Sequence, residues 1–124
     1  MIKIFLSSIQ SKTENGIVDT LYLRDSANHG NARGHLTEVP SGSKVCWELE
    51  KESGIKSVTR IWVTEDEPHG KVFKKEPKKT IITRVFEVDS VVSKVELEDK
   101  YCISYIPDNG EEKTVDPMIR IIPH

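Results

Sequence analysis

The amino-acid sequence predicts an all-β fold, an antiparallel β-sandwich of about seven or eight strands. Three observations predict it. Valine, isoleucine and threonine supply 33 of the 124 residues, against two alanines and six leucines. β-Branched side chains lose rotamer freedom in a helix and pack well on a pleated surface, so this balance favours strands. Apolar segments of about four to nine residues recur between polar punctuation, and no stretch of about ten residues carries the helical period. The length suits one core, and residues 1–124 are expected to form a single sandwich domain.

The elements follow in order. Residues 2–9 read as the first strand, with Ile4 and Leu6 on one face and Phe5 and Ile9 on the other. That pattern suits burial on both sides, or insertion beside a neighbour. Asn15-Gly16 is a hairpin turn signal, and residues 17–23 return as its mate. Residues 25–35, DSANHGNARGH, hold no large apolar side chain and are expected to form a flexible loop. A short strand over 36–39 precedes Pro40, and residues 44–50 carry the clearest alternation, Val45, Trp47 and Leu49 inward with the other face wet. In residues 55–64, Ile61 and Val63 share one side while Arg60, Trp62 and Thr64 take the other. Residues 71–73 are interrupted by Pro77, which lacks the ladder N–H, and 80–88 resume the strand pattern. Residues 91–97 alternate less cleanly and read as an edge strand. Residues 101–106 form a strong strand, closed by Pro107-Asp108-Asn109-Gly110, and Lys113–Val115 is its hairpin mate. Asp116-Pro117 then kinks the chain into a last strand, Met118–Ile122. The expected core is Trp47, Phe73, Phe86, Tyr101 and Ile103.

Charge and motif content narrow the function classes. Eighteen basic and twenty acidic residues leave a formal net charge of −2, which argues against a nucleic-acid binder. No stretch is long and apolar enough to span a bilayer, and the opening MIKIFLSSIQ reads as a strand rather than a secretory signal. The expected location is the cytoplasm, with no membrane association. Cys46 and Cys102 flank Trp62 in a layout like the immunoglobulin Cys-Trp-Cys. Each is out of phase with its inward neighbours, however, so both are expected to be reduced thiols. No nucleophile elbow, zinc-protease helix or phosphate loop is present, so the expectation is a non-enzymatic chain without a cofactor.

The segments GSKVCWELE, IKSVTRIWV, VFKKEP and YCISYIPDNGEEKTVDPMIRIIP carry a resemblance. Together they resemble small bacterial cupredoxin-like or immunoglobulin-like sandwich proteins, through Gly42, Trp47, Phe73, Pro77, Tyr101 and Tyr105. The ending, Asp116, Pro117, Ile119 and Ile121, is similar to that of the bacterial inclusion-body protein family. These are packing and turn residues, so the resemblance implies a fold rather than a chemistry. A cupredoxin copper site needs a cysteine, a histidine and a methionine clustered on one C-terminal loop. Here Cys102 is followed by no histidine until His124, and Met118 precedes it, so no copper centre is implied.

Two functional expectations result. The first is a protein-interaction or assembly module that contacts a protein partner, or a second copy of itself, through an exposed sheet face or edge. Trp62, Ile82 and Ile106 are its candidate interface, an outward apolar patch. The alternative is a metal- or small-ligand-binding sandwich using His29, His35 and His69. The lysine-rich run over residues 71–79 reads as a solubilising flank that discourages edge-to-edge pairing.

Overall fold

A computed structural model describes residues 2–25, 31–32, 36–63, 72–73, 77–79, 86–88, 91, 97–108 and 110–123. Local chemistry sets the first hairpin. Strands β1 (Ile2–Thr13) and β2 (Gly16–Asp25) pair in unbroken antiparallel register from Thr13↔Gly16 to Ile4↔Asp25. Only Glu14 and Asn15 lie in the turn, and Gly16 takes a φ of 116°, a conformation that costs glycine little. Thr13 Oγ1 donates to the Gly16 carbonyl at 2.9 Å, which ties the turn closed.

The remaining described strands are β3 (Asn31–Ala32), β4 (Leu36–Pro40), β5 (Val45–Leu49), β6 (Ile55–Val63), β7 (Lys78–Lys79), β8 (Phe86–Val88), β9 (Glu98–Pro107), β10 (Lys113–Val115) and β11 (Met118–Ile122). They form two packed sheets, a β-sandwich. One sheet runs β3-β2-β1-β5-β8-β7. In the other, β9 is central: β6 lies along one edge, β10 and β11 continue in one register along the opposite edge, and β4 follows β11. Asp116-Pro117 divides β10 from β11, because proline has no N–H for the ladder. Tyr101 N–H still reaches the Pro117 carbonyl at 3.0 Å.

Alternation builds the core. Ile4 and Leu6 of β1, Leu21 and Leu23 of β2, and Val45 and Trp47 of β5 face Ile61, Tyr101, Ile103, Tyr105, Ile119 and Ile121 of the second sheet. Trp47, Phe73 and Tyr101 meet as an aromatic trio with ring centroids 5.7 to 6.1 Å apart. Trp47 Nε1–H donates to Tyr101 Oη at 3.2 Å, which satisfies the indole inside the core. Asp99 is also buried, its Oδ2 accepting the Val72 N–H at 2.7 Å and pinning the segment before Phe73.

Several expectations need correction. Two pairings are parallel, β1 with β5 and β4 with β11, because the chain leaves one sheet and returns to it after a long crossover. The described strands number eleven, with the two-residue ladders β3 and β7 among them. Inside the stretch expected to be loop, Asn31–Ala32 pairs with Leu23 and Arg24; backbone pairing needs no bulky side chain. β1 is not an insertion edge over its first half, because β2 and β5 flank it. Nor is it buried on both faces, as Ile4 and Leu6 are covered while Ile9 is 54% exposed. Leu49, expected inward with Trp47, is 39% exposed because β5 ends there. The expected edge strand over 91–97 lies mostly outside the described residues; Val91 bridges Phe73 and is fully buried.

Candidate functional site

The candidate interface from sequence separates in space. Trp62 and Ile106 are both half-buried on the outer face of the second sheet. Trp62 stands opposite Cys102, four residues along β9 from Ile106, which is about 13 Å at strand rise. Between them Ser104 Oγ meets Thr114 Oγ1 at 2.7 Å, and the Arg60 guanidinium lies 4.7 Å from the Trp62 ring. That face is mixed rather than a continuous apolar patch. Ile82 lies outside the described residues, as do His29, His35 and His69. No group of three metal-ligating side chains occurs among the described residues. Cys46 and Cys102 are buried thiols, Cys46 beside Glu48 on the outer side of its strand, as parity predicts. The Cys102 thiol is pushed up by burial and by Asp116, against a lowering influence from Arg60. No helix among the described residues is long and apolar enough to cross a membrane.

The structure instead concentrates unpartnered features on the β1–β2 hairpin. Because its turn holds two residues, Thr13 and Gly16 form a hydrogen-bonded pair, and even-numbered residues of β2 direct their backbone groups at β1. The backbone groups of Ile17, Asp19 and Leu21 therefore point away from the sheet. β3 covers the edge only at Leu23 and Arg24, so these three residues have no strand partner among the described residues. Beside this edge the outer face of the hairpin carries apolar groups among Ser7, Ser11 and Thr20: Ile9 and Val18 are 54% and 46% exposed, and Phe5 and Tyr22 are half-buried. Arg24 closes the far end of that stripe, stacking 4.4 Å from the Phe5 ring centroid and donating to Glu50 Oε1.

Other edges are blunted. β7 consists of two exposed lysines, β4 contains Glu38 and ends in Pro40, and β10 is three residues long and opens with Lys113. β6 carries two register shifts, and Lys79 Nζ donates to its Val58 carbonyl at 3.4 Å. The β2 edge, Gly16 to Tyr22, has no lysine, arginine or proline.

Below that edge lies a cleft of about 390 Å³ between the two sheets, floored by Leu21, Leu23 and Val115 with Asp19 among its walls. Parity turns Asp19 inward with Leu21 and Leu23, and only 4% of its side chain is exposed. Its Oδ2 sits 3.8 Å from Lys113 Nζ, beyond hydrogen-bond length, and Oδ1 has no hydrogen-bond partner among the described residues. A buried carboxylate oxygen left in this state costs about 1–3 kcal/mol, more when charged. Tyr105 feels the same carboxylate: burial pushes its phenol up, the Ser8 hydroxyl draws it down, and the Asp19 charge raises it again. Sequence reading passed over Asp19 because it is an isolated acid in a strand; its inward parity beside Leu21 and Leu23 was the available signal.

The chain matches no protein-family model, and no curated protein matches it.

Proposed function

We propose that this chain is a non-enzymatic protein-interaction module that recruits an extended segment of a partner by adding it as a strand to the open β2 edge. One observation carries the reading. The backbone groups of Ile17, Asp19 and Leu21 face outward on an edge without lysine, arginine or proline, next to exposed Val18 and Ile9. Strand addition satisfies such groups with main-chain hydrogen bonds, while side chains on alternate positions supply specificity. The resemblance to cupredoxin-like or immunoglobulin-like sandwiches is consistent with this role and supplies no competing chemistry. The thiol state of Cys46 and Cys102 supports a reducing, cytoplasmic setting.

The test is selection of random displayed peptides on the full-length protein, followed by affinity measurement on variants. Ile17→Pro removes one outward N–H and leaves the β1–β2 ladder intact, so selected peptides should weaken by about tenfold or more. Leu49→Lys, on a different strand, should leave them unchanged. Selected peptides that bind both variants like the native protein would remove the reading.

A further inference from the structure

We infer that the segment recruited by β2 carries an arginine or lysine whose cation is received by Asp19. The inference rests on the strand-addition reading and adds the chemistry of the partner. A strand laid along the outward-facing groups of Ile17, Asp19 and Leu21 places every second side chain over the mouth of the cleft. Two carboxylates line it, and Asp19 is the withdrawn one, since Asp116 is exposed. The Asp19 side chain is 4% exposed, its Oδ1 has no hydrogen-bond partner among the described residues, and Lys113 Nζ stands 3.8 Å from the other oxygen. A guanidinium or ammonium group arriving from the edge supplies the missing donor in a site already withdrawn from water, where charge-assisted hydrogen bonds are strong.

The same geometry rejects other occupants. An inward-pointing charge beside an open edge opposes any strand that would bury it without compensation. A neutral or acidic side chain at that position leaves the carboxylate with the 3.8 Å Lys113 pair and no direct hydrogen-bond donor, so the edge discriminates by charge. A second copy pairing through its own β2 is disfavoured for the same reason, since Asp19 is the sole charged residue of Gly16 to Tyr22 and two such edges would bring two carboxylates together. Two positions along from the cation, the next cleft-facing side chain of the guest meets Leu21 and, across the cleft, Val115. The recognised pattern is therefore a basic residue with an apolar residue two positions away, in extended conformation.

Peptides selected on the full-length protein test this by fluorescence anisotropy. Those that depend on Ile17 should share one basic position, and replacing it with citrulline, which keeps shape and removes charge, should weaken binding by about tenfold or more. Asp19→Asn should shrink the preference for arginine over citrulline to about twofold or less, while Lys113→Gln, on an exposed residue, should enlarge it by relieving competition for the carboxylate. The opposite signs keep the test decisive should Asp19→Asn fold poorly. Peptides that depend on Ile17 but tolerate citrulline, or an arginine preference unmoved by Lys113→Gln, overturn the charge inference and leave strand addition standing. Peptides indifferent to Ile17→Pro overturn both.

Discussion

At the residue scale, Trp47 and Tyr101 depend on each other. The indole N–H is buried and its partner is the Tyr101 hydroxyl, while Phe73 packs edge-on against both rings. Trp47→Ala removes a large side chain from the centre and is expected to cost about 3–5 kcal/mol by chemical denaturation. Tyr101→Phe keeps the ring but strips the acceptor, and should cost about 1–3 kcal/mol because the indole N–H stays buried. The same tyrosine sets an alkaline limit. Burial raises its phenol far above the ordinary value, with the Trp47 hydrogen bond only partly offsetting this, and burial raises Tyr105 as well. A raised folded-state pKa means the unfolded chain releases its proton first. The associated stability is therefore complete below about pH 10, the unfolded tyrosine value, and is lost as pH rises above it. Denaturation midpoints measured between neutral pH and about pH 11 should fall beyond about pH 10, and the fall should be shallower in Tyr101→Phe. An identical slope in both proteins would contradict this assignment.

At the element scale, β2 has two chemically different sides, and proline distinguishes them. Ile17→Pro removes an N–H that points to the open edge, so thermal stability should change little. Thr20→Pro removes an N–H directed at Ile9 of β1 and should cost about 1 kcal/mol or more, the value of a ladder hydrogen bond left unpaired. Equal melting temperatures for the two variants would show that the ladder does not run in this phase. Strands of this kind were largely legible in the sequence. Lys113–Val115 and Met118–Ile122 fall where alternation and the Asp116-Pro117 break place them, and Trp47, Phe73, Phe86, Tyr101 and Ile103 are all buried. What alternation cannot carry is the neighbour of each strand. Phe5 and Ile9 mark β1 as two-faced, yet only the pairing with β2 and β5 shows that its outer face stays uncovered. The register shifts in β6, between Ile55 and Ser57 and between Val58 and Arg60, insert residues that no period-two pattern announces. The candidate site was invisible for the same reason. Asp19 gains its meaning from Lys113 and Tyr105, which are distant in sequence.

At the scale of the whole molecule, the two parallel pairs determine how the sandwich assembles. β1–β2 is a local hairpin, but β5 joins β1 from more than forty residues away, and β4 meets β11 across more than eighty. Neither contact can form until a long loop has closed, and loop closure is an entropic cost met before the contact offers any return. Refolding should therefore fall in the millisecond-to-second range typical of sandwiches rather than the microseconds of helical bundles. Trp47 is the natural reporter, because its ring is covered only when β5, Phe73 and β9 come together. β11 is the element on which this closure turns. It pairs β9 on one side and β4 on the other, and it contributes Ile119 and Ile121, both fully buried. A chain cut after Pro117 would leave β4 without its partner and open the core beneath Val39, so it should lose cooperative unfolding altogether. Ile121→Val, by contrast, removes one methylene group and should cost about 0.5–1.5 kcal/mol. If that loss appears in the unfolding rate with the folding rate unchanged, the β4–β11 pair forms after the rate-limiting step. If refolding slows instead, closure by the last strand is itself part of the barrier, and the β4–β11 pair is already forming in the transition state.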